Sequence, residues 1–391
     1  MKTSIKSGMG KIILDFTTAR LEDMLKKGNV WYVRHYEAYF DEVYVVYLMG
    51  DEKKTVSQGN TYLVSLGNGR NKWDLFFAPY RLLKFSRKVK PTSYLTADLV
   101  FSWWTSLLIR FLMQGKIVLM PVCMPHVIYE SSGKTLSGLP LWLEKLFLKF
   151  SFQASKRVLV SNASGDSYIA WLSNNPEIKN KLKVVDTVVD ALPTDDFYKK
   201  ASKIPMNRIR ISPFFTLLYV GRLHSEKLVD QLIRMIKFVL TDSNIQLPKP
   251  IQMILIGDGA ERKNLEGLAE ALGVKDYVKF LGYLPNECIM DYYSEADIFV
   301  SPLTGNSLRE AALFGLPIVA YEMDWVVGMF QHNENILFAK PGDPKDMAQQ
   351  VIRLLKEPEL AIRIGQNVRE LVLKTLGEAN IKEELARSFE E

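Results

Sequence analysis

Between residue 213 and a helix opened by Asp343-Pro344, short and continuously apolar runs recur with amphipathic stretches between them. That alternation restricts the fold more than any other feature of the sequence. The runs are FTLLYV (215–220), IQMILIG (251–257), YVKFLG (277–282), DIFVSP (297–302), PIVAYE (317–322) and NILFA (335–339). Helical patterns begin at Glu226, near 261, near 286 and at Ser307, and Asp343-Pro344 opens another. In the stretch 226–240, Leu228, Leu232, Ile236 and Val239 fall on one helical face. Strands that alternate apolar and polar residues keep one face in water, whereas these runs are apolar throughout and need helices on both faces. The pattern therefore predicts an α/β fold with a doubly wound parallel sheet.

The first half repeats the theme with weaker punctuation. Candidate strands are KIILDF (11–16), VYVVYL (43–48), TYLVSL (61–66), DLVFS (98–102), KIVLMPV (116–122) and RVLVSN (157–162), with helices at 71–88, 103–114, 139–153 and 163–173. The polar run Lys199–Ser212 reads as a linker. A length of 391 residues suits two domains, placed at 1–203 and 204–375, with a last helix over 376–391 crossing back onto the first. Two Rossmann-like domains in tandem create a cleft outside the carboxyl ends of their strands, so the loops after strands are where chemistry is expected.

Composition removes several classes. A hydrophobic share of 48% with 24% charged residues excludes a disordered or fibrous chain. Cys123 and Cys288, the two cysteines, are far apart, which excludes a disulfide scaffold and a CxxC metal site. No continuous apolar stretch of secretory length lies before Asp15, and Thr105, Ser106 and Arg110 interrupt the greasiest stretch, Leu99–Met113. The expected location is the cytoplasm, with peripheral attachment to the inner face of the cell membrane as its extension. Residues 1–200 hold 28 Lys and Arg against 18 Asp and Glu, and residues 201–391 hold 22 against 26. A basic first half allows an anionic partner there, and a solvated basic face is the simpler alternative. Lys84, Arg87, Lys88 and Lys90, and a 139–153 helix mixing Trp142, Phe147 and Phe150 with Lys145 and Lys149, suit an anionic membrane surface. No nucleic-acid module or aromatic platform is interleaved with these cations.

Four loops in the second half are candidates. Gly221, at the end of FTLLYV, allows close backbone approach, and Arg222 and Lys227 flank the following helix start, an arrangement suited to a diphosphate or to an ordinary charged surface. Thr304, Gly305, Asn306, Ser307 and Leu308 lead into the next candidate, where backbone N–H groups would face an anion. Glu310 follows, at capping-box spacing from Ser307, so a purely local role is open to it. Gly257 and Asp258 turn into a helix that Asp258 could cap. Tyr283 and Leu284 could lay a ring and backbone along a base. No Walker loop and no GxGxxG motif is present.

The series VGRLHSEK, ILIGDGAERKNLEGLAEALG, VKFLGYLP and ADIFVSPLTGNSLREAALFGLPIVA resembles the nucleotide-binding half of the retaining family-four glycosyltransferases over about residues 213–375. The resemblance implies the GT-B architecture of two Rossmann-like domains, with an acceptor in the first and a nucleotide-sugar, a UDP- or GDP-sugar, held by the second. It implies that Arg222 and Lys227 contact the diphosphate, that Glu310 holds the ribose hydroxyls, and that the base lies near Tyr283 and Leu284. In the first half, LEKLFLKFSFQASKRVLVSNASGDSYIA is similar to the family's helix, strand and serine loop, with Ser161 at the strand end.

The sequence departs from that pattern in three places. Pro302 stands where the family has the first of two glutamates, leaving Thr304, Gly305 and Asn306 near the donor sugar. Thr17 and Thr18 follow the first strand in place of a glycine-rich loop. His126 lies a few residues beyond the position of the family's first-domain histidine. With no DxD motif and four dispersed histidines, no metal and no other cofactor are expected. The functional expectation is a retaining, metal-independent glycosyltransferase acting on a glycan, lipid-linked or other hydroxyl acceptor. A non-catalytic nucleotide-sugar-binding subunit and a GT-B-like epimerase or phosphorylase are the alternatives.

Overall fold

The computed structural model describes residues 10–27, 36–37, 40–67, 72–96, 116–119, 157–161, 180, 182–185, 195–205, 212–242, 247–303, 305–323 and 326–375. The chain divides into two compact units, 1–190 with 381–391, and 191–380. Each is an α/β unit with a predominantly parallel sheet.

In the first unit the strands are β1 (Lys11–Arg20), β2 (Glu42–Met49), β3 (Lys54–Gln58), β4 (Thr61–Ser65), β5 (Ser93–Thr96), β6 (Lys116–Leu119), β7 (Arg157–Ser161) and β8 (Leu182–Val185). They are ordered β3-β4-β2-β1-β5-β6-β7-β8, and only β3 runs antiparallel. The described helices are α1 (Leu21–Lys27) and α2 (Lys72–Val89). Ile12, Ile13, Val43, Val45 and Val46 are fully buried, as central parallel strands require. Strand β3 is polar and largely exposed, an edge hairpin partner that apolar pattern alone does not reveal. The expected strand 98–102 and helices 103–114, 139–153 and 163–173 lie outside the described residues, as does the last helix over 376–391.

The second unit opens with α3 (Asp195–Ala201) and holds β9 (Phe215–Val220), α4 (Val229–Thr241), β10 (Ile251–Ile256), α5 (Arg262–Ala271), β11 (Val278–Gly282), α6 (Asn286–Glu295), β12 (Ile298–Ser301), α7 (Asn306–Leu313), β13 (Ile318–Tyr321), α8 (Val326–Met329), β14 (Leu337–Ala339), α9 (Pro344–Lys356) and α10 (Pro358–Thr375). Its sheet order is β11-β10-β9-β12-β13-β14, all parallel, with the direction of winding reversing between β9 and β12. Every residue of β12 and β13 is buried. Asp343 caps α9 by accepting from the N–H groups of Lys345 and Asp346 at 3.0 Å each, while Pro344 supplies a pre-set φ.

Two boundaries differ from expectation. The helix expected from Glu226 is a single 3-10 turn, Ser225–Lys227, followed by α4. Leu228 between them has φ 52°, a left-handed backbone that L side chains avoid, so it cannot continue the helical face. Val229, Leu232, Ile233, Met235, Ile236 and Val239 form the buried face instead. Six buried apolar side chains contribute on the order of 10 kcal/mol before ordering costs.

The second difference is the domain boundary, placed at 203/204 on the strength of the polar run. The second unit begins before it because α3 packs there. Phe197 is buried against Tyr293 and Phe314, at centroid distances of 6.2 and 6.1 Å. Arg369 on α10 donates to the carbonyls of Ala201 (2.7 Å) and Ile204 (3.0 Å), satisfying the end of that helix.

Candidate functional site

Ligands of open α/β sheets bind outside the carboxyl ends of the strands, where the strand order reverses. In the second unit that place is between β9 and β12, and the loops leaving those two strands carry the candidate cations and Glu310.

Three glycines bring the strand-end loops together. Gly221 donates to the Ile256 carbonyl at 2.9 Å and Gly257 to the Gly282 carbonyl at 2.8 Å. A Cβ on Gly257, whose φ is 136°, would lie 1.9 Å from the Gly221 carbonyl oxygen. A Cβ on Gly221 would meet the Tyr219 hydroxyl at 2.5 Å, and that hydroxyl reaches the Arg222 carbonyl at 3.3 Å. Beyond the glycines, Leu223 N–H bonds to the Asp258 carbonyl and Glu261 N–H to the Leu223 carbonyl, both at 3.0 Å. Loops 221–227 and 257–261 are thus one laced surface. Asp258 does not cap the next helix: its carboxylate accepts from its own neighbour Gly259 N–H at 2.8 Å and lies 3.6 Å from Arg262, and α5 starts after Glu261.

On that surface the Arg222 side chain is 68% exposed and pairs with Glu226 at 3.7 Å, while His224 approaches the same carboxylate at 3.9 Å. Exposed pairs of this kind contribute about 0–1 kcal/mol, so an entering dianion could displace Glu226. Lys227 closes the 3-10 turn, its N–H on the His224 carbonyl at 3.0 Å. His224 and Glu226 were not singled out as site residues, although they stand between the two cations in the sequence.

After β12, Pro302 is buried, Thr304 lies outside the described residues, and Gly305 is the N-cap of α7 in an extended conformation. Gly305, as N-cap, brings no side chain to the helix start. The capping box between Ser307 and Glu310 is not formed, because the helix starts at Asn306 and carries Glu310 past the first turn. Asn306 is exposed and its Oδ1 accepts from Arg309 at 3.2 Å. Ser307 is half-buried. Leu308 contributes to the core, fully buried, with its N–H on the Gly305 carbonyl at 3.1 Å.

Glu310 is half-buried, and its carboxylate Oε2 accepts the Tyr293 hydroxyl at 2.8 Å. Burial raises its pKa to about 7, and the Tyr293 hydrogen bond opposes that rise. Burial also lowers the pKa of the neighbouring Arg309 to about 10. Tyr293 went unnoticed in the sequence; an aromatic hydroxyl on a helix that packs in the core was its signal. Tyr283 is 53% exposed just past the end of β11, with Leu284 half-buried beside it.

In the first unit, Thr17 and Thr18 lie within β1, not at a helix start: the strand continues to Arg20, with a register shift between Phe16 and Arg20. They still fall beyond the pairing with the middle of β2. His126 lies outside the described residues. Among the described residues, no cluster of His, Cys, Asp and Glu could hold a metal ion, and no helix is long and apolar enough to cross a membrane.

Residues 207–371 match the family described as glycosyl transferases group 1. An uncharacterised glycosyltransferase of Methanocaldococcus jannaschii is 28% identical over 44% of this chain and 44% of its own length. The alpha-D-kanosaminyltransferase of Streptomyces kanamyceticus is 29% identical over 40% of each chain. The chain spans under half the length of these curated relatives. Similar solved structures include sucrose-phosphate synthase from Thermosynechococcus elongatus, with TM-score 0.69, 18% identity and coverage of 97% of this chain and 98% of that one. Another is Anabaena HepE in complex with UDP and glucose, with TM-score 0.69, 14% identity and coverage of 97% and 98%. These likenesses establish two Rossmann-like domains of the GT-B type.

Proposed function

We propose that this chain, which carries a glycosyl transferases group 1 domain over residues 207–371, is a retaining glycosyltransferase that needs no metal ion. The observation that carries the reading is the convergence at the β9/β12 reversal: Arg222 and Lys227 on one side, the glycine-led start of α7 and Glu310 on the other. The two cations and the α7 N-terminus hold the diphosphate. Glu310 accepts from the ribose hydroxyls, and the Tyr283–Leu284 turn lies against the base. The acceptor hydroxyl attacks the anomeric carbon from the face the diphosphate leaves, forming the new glycosidic C–O bond as the bond to the phosphate oxygen breaks. That leaving oxygen takes the acceptor proton, so catalysis rests on positioning and on stabilising the departing charge. The similar HepE structure contains UDP and glucose, which favours UDP-glucose among the donors to try.

Melting curves with UDP, GDP and ADP, then with their sugars, test the reading. One diphosphate at 100 times its Kd stabilises the fold by about 2.7 kcal/mol. A chain whose melting responds to none of the three is not a nucleotide-sugar enzyme.

A second reading, a non-catalytic nucleotide-sugar-binding subunit, is favoured by Pro302, since no carboxylate stands between Ser301 and Asn306. Donor binding without hydrolysis or transfer, across glycan and lipid-linked acceptors, would select it.

The basic first unit is assigned to an anionic membrane surface that presents a lipid-linked acceptor. On α2, Tyr80, Lys84, Arg87 and Lys88 are exposed on one face while Leu82, Leu83, Ser86 and Val89 are buried on the other. Sedimentation with anionic vesicles at low salt is expected to pellet the protein, and the triple change Lys84→Glu, Arg87→Glu and Lys88→Glu to release it. Equal pelleting by neutral vesicles, or no effect of the change, refutes this assignment.

A further inference from the structure

Tyr293 is fully buried on α6 and reaches across to α7. Its ring is fixed from three sides, by Phe314 at 5.5 Å, Phe299 at 6.1 Å and Phe197 at 6.2 Å between centroids. Its hydroxyl has a single hydrogen and two acceptors in reach, Glu310 Oε2 at 2.8 Å and the Ser307 carbonyl at 3.3 Å. The shorter, charge-assisted contact is the stronger. Burial keeps the phenol protonated, with its pKa well above the ordinary tyrosine value, so it is always a donor here. No other donor among the described residues reaches the carboxylate: Arg309, next in the chain, is turned to Asn306, and Arg369 is spent on the carbonyls of Ala201 and Ile204. One oxygen of Glu310 is therefore committed and the other is left as an acceptor.

We propose that Tyr293 is a positioning residue of the nucleotide site, holding Glu310 by one carboxylate oxygen so that the other accepts from a ribose hydroxyl. The inference rests on the donor-site reading above. It has a consequence that packing alone does not produce. The carboxylate accepts a ribose hydroxyl best when ionised, so nucleotide binding strengthens as pH rises through about 7. Tyr293 lowers that midpoint, because its hydrogen bond favours the ionised form. Tyr293→Phe keeps the ring and its aromatic contacts but lets the midpoint rise.

The test measures UDP affinity by calorimetry from pH 5.5 to 9.5, for the wild type and Tyr293→Phe, with GDP and ADP in parallel. The pH profile of the variant is expected to move up by about one unit, a loss of about tenfold near pH 7. Above pH 9 the two proteins should converge to within about threefold. With 2′-deoxy-UDP both profiles should flatten, since a hydroxyl that reads the carboxylate is gone. Coincident profiles with UDP overturn the inference alone, as does a loss that is the same at every pH, which would make Tyr293 merely structural. A wild type that binds none of the three diphosphates overturns the donor reading and this inference with it.

Discussion

Replacing Arg222 or Lys227 by alanine is expected to lower sugar transfer by about 10²–10³-fold in kcat/KM, the cost of removing one preorganised donor from a developing anion. The fold should be nearly untouched. Arg222 is mostly exposed and its pairing with Glu226 at 3.7 Å is a surface contact, so its loss changes stability by at most about 1 kcal/mol. Diphosphate affinity should fall together with turnover, because the charges that stabilise the leaving group also hold it in the ground state. The control is Glu226→Gln, which removes the competing carboxylate and should tighten UDP binding modestly. Near-normal kinetics in both alanine variants, measured with a donor that the wild type uses, would refute the placement of the diphosphate at this loop.

Gly257→Ala should be the most damaging single change in the second unit. Its Cβ would stand 1.9 Å from the Gly221 carbonyl oxygen and 2.8 Å from that carbonyl carbon, and φ at 136° is strained for any L side chain. Both obstacles are backbone, so no rotamer change relieves them. Strain of about 1–3 kcal/mol and overpacking of a similar size sum to about 4 kcal/mol. Thermal unfolding should fall by roughly 10 °C, and nucleotide binding should go with it because the loops after β9 and β10 are pinned there. Gly267→Ala on α5 is the counterpart: nothing lies within 4 Å of its Cβ, and an alanine in a helix stabilises by about 0.5–1 kcal/mol. A Gly257→Ala protein that melts with the Gly267→Ala protein would show that the two strand ends are not locked together.

The second unit was legible because its strands are buried on both faces, so that apolar runs such as FTLLYV coincide with β9 and the Asp343-Pro344 pair coincides with a formed cap. Where local pattern and tertiary context disagree, the sequence misleads. Strand β3, KTVSQ, is held by pairing with β4 and carries no apolar stripe. Strands β5, SYLT, and β8, LKVV, mix polar with apolar residues and sit in no extended apolar run, so nothing in the pattern marks them. Leu228 reads as the first residue of an amphipathic helix, and only its left-handed backbone shows that it is not. For the site, the chemistry of the loops could be read from glycines and cations at strand ends. Two local hydrogen-bonding options, Ser307 with Glu310 and Asp258 with the following helix, could not be decided without knowing where those helices begin. Tyr293 lay beyond reach for a different reason: its partner is on another helix, 17 positions away.

The seat of α3 reaches beyond geometry, to how such chains can be recombined. The matched segment starts at residue 207, yet Arg369 near its end is buried and spends its guanidinium on carbonyls at 201 and 204. Transplanting residues 207–371 alone into a relative would take these two carbonyl acceptors from a buried guanidinium, at a cost of about 3–6 kcal/mol for two charge-assisted hydrogen bonds. It would also uncover the ring of Tyr293 that Phe197 covers. The heritable module of this protein is therefore longer than its recognisable one: residues 195–205 must travel with the matched segment, even though nothing in their own sequence announces a part in it.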